Sequence, residues 1–264
     1  MDITTHTNQV EMTVVHERLN RLLASAAAVL LMLVLKRHYS LAVAEDLLWI
    51  LAPTARLTAW AGGVQPVWEA GVGYADFGRG IVIAPACAGV NFMIMAFGLA
   101  AFLGLGRLRR LAGLLAWMVF SFAAAYLAAL GVNTLRIVLS TALYRAEIYS
   151  AWLSPDALHR VSGVWIYLIG LGLFFKGLRL IMNRFANRFD PARRSFDAIR
   201  SPWLPLGWYL LGTVGVPAVN LIFKGPPSDF GIHCLMVVAA AMVLWGGGLL
   251  VNVLIARYIG TGMR

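Results

Sequence analysis

Three side chains in this sequence have the types that acyl-transfer chemistry needs. Cys87 stands in Pro85-Ala86-Cys87-Ala88-Gly89, and Arg136 in Asn133-Thr134-Leu135-Arg136-Ile137. His159 stands in Ser154-Pro155-Asp156-Ala157-Leu158-His159-Arg160. A thiolate attacks a carbonyl carbon directly. An imidazole takes and returns a proton near neutral pH. A guanidinium presents a fixed fork of donors to a carboxylate or an oxyanion. Each residue also has a plainer reading. A lone cysteine in an apolar chain is usually a small buried hydrophobe. An arginine at a helix end can snorkel and meet the helix dipole. A histidine near an interface can be a cap. Spacing alone does not choose between these readings.

The elements that must position the three are membrane helices. Of the 264 residues, 60% are hydrophobic and 13% charged. A soluble domain averages about 45–50% apolar and about 25% charged, so this chain needs lipid as its solvent. A spanning helix takes about 20 mostly apolar residues. Six stretches qualify or come close: 19–35, 88–105, 111–134, 161–181, 203–223 and 233–256. Pro205 and Pro217 predict a kink in the fifth. The fold class is all-α, a polytopic transmembrane bundle of about six to eight membrane helices. The whole chain, 1–264, forms a single membrane domain, with 1–18 as a cytoplasmic tail and 201–256 carrying additional C-terminal helices.

The net charge is +10, from 22 Lys+Arg against 12 Asp+Glu. The basic residues cluster beside apolar segments, which fits membrane topology rather than nucleic-acid binding. Arg18 and Arg21, then Arg107, Arg109 and Arg110, then the run from Lys176 to Arg200, then Arg257 and Arg264, all fall on one side. That side is cytoplasmic by the positive-inside rule. Loops 36–87, 135–160 and 224–232 then face outward, with Lys36 and Arg37 running weakly against the rule. Segment 41–60 is apolar but interrupted by Glu45, Asp46, Pro53 and Arg56. It reads as an interfacial or re-entrant helix, with a pair of short crossings as the other option. Between Gly62 and Ala84, glycines punctuate short β-branched runs, which predicts a small extracytoplasmic hairpin just before Cys87.

This topology gathers Cys87, Arg136 and His159 on the outer face. Cys87 falls at the start of the second helix, where exposed N–H groups and the dipole favour a thiolate. Ser154 and Pro155 resemble an N-cap followed by proline at the first helical position, which puts His159 in the early turns of the fourth helix.

Other residues on that face compete for attention. Cys234 and His233 begin the sixth helix. A Cys87–Cys234 disulfide would cancel the thiolate reading. A metal site from His159, His233 and a cysteine lacks evident further ligands, and no metal is expected. Glu69, Asp76 and Arg79 lie in the hairpin, as substrate contacts or as solvated charge. Glu147 and Asp156 are candidates to orient His159, or plain surface charge. Trp49, Trp60, Trp68, Trp152, Trp165 and Trp203 fall near predicted boundaries, as an aromatic belt does.

The local motifs go further. Gly63-Val64-Gln65-Pro66-Val67, Gly71, and Ile81-Val82-Ile83-Ala84-Pro85-Ala86-Cys87-Ala88-Gly89-Val90-Asn91-Phe92 resemble the exosortase/archaeosortase family. So do Asn133-x-x-Arg136-Ile137 and His159 with Gly163. The Cys, Arg and His motifs stand in family order, and the likeness covers roughly 40–180. The Cys-Ala-Gly-x-Asn-Phe form looks most like the exosortase K branch. Many relatives carry serine after the cysteine, where this chain has Ala88. The resemblance implies a bacterial inner-membrane cysteine transpeptidase with its active site toward the periplasm. Such enzymes cleave C-terminal sorting signals of exported proteins: a short PEP-CTERM-like motif, a transmembrane helix and a basic tail. Carried over, Cys87 is the nucleophile, His159 the acid/base and Arg136 the stabiliser. Asn133, Asn91 and Asp156 are the candidates to support them. The implied chemistry needs no cofactor, and the implied partners are substrate proteins and lipid, not nucleic acid. A small membrane transporter is the alternative from another class, although the polar residues sit at helix ends and no internal repeat is visible. A non-catalytic membrane assembly protein is the other.

Overall fold

A computed structural model of the chain describes residues 3–105, 108, 110–146, 154–189, 203–218 and 230–261. Glu147, Trp152 and the basic residues Arg107, Arg109, Arg193, Arg194, Arg200 and Arg264 lie outside those residues, as do the side chains of Asp156 and His233. Among the described residues, five helices are long and apolar enough to cross a membrane: Val14–Leu41, Pro85–Leu105, Leu111–Arg145, Leu158–Arg184 and Phe230–Gly248. They correspond to five of the six expected stretches, and the protein is an all-α polytopic membrane protein. The chain divides into two compact units, Met1–Thr134 and Leu135–Arg264.

The first unit opens with α1 (Ile3–Leu41). It is much longer than the expected 19–35 crossing, and it takes in most of the segment expected to be a tail. The reason is local. No glycine or proline occurs before Pro53, so nothing in the first forty residues breaks a helix. Leu22, Leu30, Leu33 and Val34 are exposed on α1, as lipid-facing residues are. Ala24 and Ala28, one turn apart, are buried. Small side chains at that spacing allow close approach of α3 (Val90–Leu105), against which α1 packs. Helix α3 is apolar on every face, and 78% of its span is buried, against 11% for α1. It is the core of this unit.

Residues 41–60 form a 3-10 turn (Glu45–Leu47) and α2 (Leu48–Gly62), with Pro53 inside. Fifteen residues make a helix about 22 Å long, short of the roughly 30 Å hydrocarbon layer. The single short helix fits the interfacial or re-entrant reading. Its buried residues, Ile50, Leu51, Thr54, Ala55 and Thr58, mark one face. Trp49 stacks on Tyr126 of α4 (Leu111–Arg145) at 5.9 Å, and the Tyr126 hydroxyl donates to the Trp49 carbonyl at 2.8 Å. The charges that interrupt this segment have local work. Asp46 accepts from the Val43 N–H, and Glu45 accepts from the Gly71 N–H at 2.8 Å.

The expected hairpin is a three-stranded antiparallel meander, β1 (Val67–Glu69), β2 (Gly73–Asp76) and β3 (Ile81–Ile83). The middle strand was not anticipated, because Gly73-Tyr74-Ala75-Asp76 has little β-branched character. Gly73 is required there: a Cβ would lie 2.4 Å from the Ile83 carbonyl oxygen across the ladder. Asp76 and Arg79 serve the turns. Asp76 accepts from the N–H groups of Gln65 and Arg79, and the Arg79 guanidinium donates to the Gly63 carbonyl. Strand β3 leads straight to Pro85.

The second unit contains the end of α4, then α5 (Pro155–Phe189), α6 (Trp203–Leu210) and α7 (Phe230–Thr261). Helix α5 packs against both α6 and α7. The Trp165 indole N–H donates to the Ala240 carbonyl at 3.0 Å. The kink expected from Pro205 and Pro217 takes another form. Pro205 lies in the first turn of α6, where its missing N–H costs little. A π-helical stretch, Leu211–Gly215, precedes Pro217. Its wider turn accommodates a ring that would otherwise press on the preceding turn.

Candidate active site

Cys87 closes a 3-10 turn, Pro85–Cys87, three residues before α3 begins at Val90. This corrects the placement at the start of the helix itself. The Cys87 N–H donates to the Ala84 carbonyl at 2.8 Å, and the Ala88 N–H to the Pro85 carbonyl at 3.0 Å. Gly89 then takes φ +76, and α3 starts with the Met93 N–H donating to the Gly89 carbonyl. The cause is steric: two turns of different pitch join at Gly89, and the left-handed conformation there suits only glycine among small residues.

A second contact fixes the turn from outside. Asn133 on α4 is fully buried, and its side-chain amide donates to the Cys87 carbonyl at 2.5 Å. A Cβ on Gly89 would lie 2.9 Å from the Asn133 Cγ. The Cys-Ala-Gly sequence and the asparagine 46 residues away therefore form one clamp. Asn133, expected only as a support, holds the backbone of the candidate nucleophile. The Cys87 thiol is half-buried, and both Cys87 and Cys234 are free. Ala88, where many relatives have serine, is fully buried.

Helix α1 contributes to the same region. The Lys36 ammonium donates to Asn91 Oδ1 at 2.9 Å, and the Tyr39 hydroxyl contacts the Pro85 carbonyl at 3.4 Å. Asn91, expected to support the catalytic group, instead pairs with Lys36 from the exposed second position of α3. Lys36, which ran against the charge rule, thus has a defined partner beside the Cys87 turn.

In the second unit the structure brings Arg136 and His159 together. Arg136 Nη2 lies 3.1 Å from His159 Nε2. Arginine has only donors, so this contact is a hydrogen bond in the tautomer that accepts at Nε2 and carries its proton on Nδ1. Helix α5 begins at Pro155, and the Leu158 N–H donates to the Ser154 carbonyl, so Ser154 stands at the N-cap position. His159 follows in the second turn and is exposed.

Arg136 has a second partner that sequence reasoning missed. Its Nη1 donates to the Tyr167 hydroxyl at 3.1 Å, and its guanidinium carbon lies 5.2 Å from the centre of the Tyr167 ring. Arg136 Nε is buried and has no hydrogen-bond partner among the described residues. It faces Gly163, where a Cβ would come within 3.3 Å. His159, Gly163 and Tyr167 are spaced by four, so they share one face of α5. That spacing was the available signal for Tyr167. Tyr209 of α6 is buried; no local pattern announces it. The partners the structure gives the guanidinium are neutral, so none of them cancels its charge.

Chemically, these arrangements offer a thiol on a braced turn, an imidazole, and a guanidinium with charge to spend. The family of transmembrane exosortases matches residues 12–176. No curated protein and no solved structure matches the chain. The match takes in α1, which the motif resemblance did not reach, and ends ahead of α6 and α7. Cys87, Asn133, Arg136 and His159 all fall within it. Covering well over half of the sequence, the match establishes that this chain belongs to the transmembrane exosortase family.

Proposed function

We propose that this protein is a cysteine transpeptidase that removes C-terminal sorting signals from exported proteins. The observation that carries the reading is the 3.1 Å contact between Arg136 and His159. Two motif residues of the family, 23 positions apart, form a pair whose chemistry suits peptide-bond exchange. The braced Cys87 turn supports the reading independently.

The steps follow from the residue types. The Cys87 thiol gives its proton to the neutral His159 imidazole once Nε2 is released by Arg136. The thiolate sulfur attacks the carbonyl carbon of the scissile peptide. Negative charge develops on the carbonyl oxygen, and the Arg136 guanidinium stabilises it. The C–N bond breaks, the leaving amine takes the proton from His159, and the tail departs. An acyl thioester remains on Cys87. A second nucleophile attacks the thioester carbonyl and loses its proton to His159; the C–S bond breaks, the acyl product leaves, and His159 returns the proton to the Cys87 sulfur. Arg136 thus alternates between holding the imidazole at rest and meeting the oxyanion during reaction.

Membrane embedding suits such a substrate. A sorting signal with its own transmembrane helix reaches the enzyme laterally and at a defined depth. We place the protein in the bacterial inner membrane by its likeness to the exosortases, with this chemistry toward the periplasm on the strength of the loop charges. The test is co-expression with an exported protein bearing a motif, a transmembrane helix and a basic tail. Tail removal by the wild type and its loss in both Arg136→Ala and His159→Ala is the expected result. Undiminished processing in either variant contradicts the assignment.

A further inference from the structure

We infer that Tyr167 on α5 is a positioning residue that sets the orientation of the Arg136 guanidinium. The inference rests on the proposed role of Arg136 and adds to it a residue outside the Cys, Arg and His motifs.

Arg136 Nη1 donates to the Tyr167 hydroxyl, and the same ring lies under the guanidinium carbon. One aromatic side chain thereby restrains the fork both in its plane and across its face. Nε has no partner among the described residues, so it adds no restraint. Rotation of the fork is then governed by two neutral acceptors, Tyr167 and His159. A carboxylate in either place would hold the guanidinium more tightly and neutralise it. A phenol holds it while leaving its charge available.

The test uses the full chain in detergent or lipid and reads the ring nitrogens of His159 by heteronuclear NMR. The chain has 5 histidines, and the signal is assigned by its loss in His159→Gln. The wild type should show a neutral ring with Nδ1 protonated. Tyr167→Phe keeps the ring's bulk and removes the acceptor. It should shift the His159 signal toward mixed tautomers and lower kcat about tenfold with KM little changed. A His159 spectrum unaltered in Tyr167→Phe overturns the inference, whatever the rate does. The spectrum does not depend on any substrate. If the protein proves not to be a transpeptidase, the proposed function fails while this result still decides the role of Tyr167.

Discussion

The Cys87 turn and the Arg136 cluster are built on opposite principles. Around Cys87 the restraints are backbone ones: a 3-10 turn, a left-handed glycine and a buried amide on the Cys87 carbonyl. Around Arg136 they are side-chain ones: a tyrosine hydroxyl, an imidazole nitrogen and an aromatic face. Moving Cys87 means breaking the turn and leaving buried polar groups unpaired. Moving the Arg136 fork needs only side-chain rotation. The difference teaches how the work is divided. A nucleophile benefits from a fixed address, because misplacement of a reacting atom is costly. A group that must release a proton carrier and then meet a developing charge needs two positions.

Substitutions can break this contrast, and the largest effects should come from the reacting groups. His159→Ala removes the proton carrier and should slow tail removal about 10²–10⁴-fold, measured as initial rates with folded protein. Arg136→Ala should cost about 10²–10³-fold, the range for losing one oxyanion donor. Arg136→Lys keeps the charge without the fork and should recover only part of that.

The next effect sharpens the comparison through two glycines. Gly89→Ala forces a Cβ to 2.9 Å from the Asn133 Cγ at φ +76. It should destabilise the protein by about 1–3 kcal/mol, seen as a lower unfolding midpoint and lost activity. Gly163→Ala meets only the Arg136 Nε, at 3.3 Å, and that group can move. In a helix interior alanine gains up to about 1 kcal/mol over glycine. The unfolding midpoint should hold or rise while activity falls a few-fold. Equal effects from the two substitutions would erase the distinction between fixed and movable parts.

The smallest effect on activity is expected from Asn133→Ala. It leaves the Cys87 carbonyl without its donor, at about 1–3 kcal/mol, but keeps the glycine turn. Thiol alkylation rates at Cys87 should change, while those at Cys234 stay constant.

Much of this was legible in the sequence, for identifiable reasons. Hydropathy located five of the crossings because lipid imposes length and composition directly. The Cys, Arg and His motifs carried the family. The full extent of α1 was less visible, because polar residues hide a helix that lacks only a breaker. Position-specific contacts were harder. Asn133 reads as one polar residue in an apolar helix; its purpose depends on a carbonyl 46 residues earlier. Tyr167 shares a helix face with His159 and was within reach of spacing arguments. Lys36 looked like an exception to the charge rule until its contact with Asn91 gave it a partner.

The most direct test of the central claim is mass spectrometry of the enzyme during turnover with a sorting-signal substrate. The wild type should carry the substrate's acyl fragment on Cys87, released by hydroxylamine as a thioester is, and Cys87→Ala should carry none and leave the tail in place. Tail removal that continues in Cys87→Ala at the wild-type rate would contradict the account.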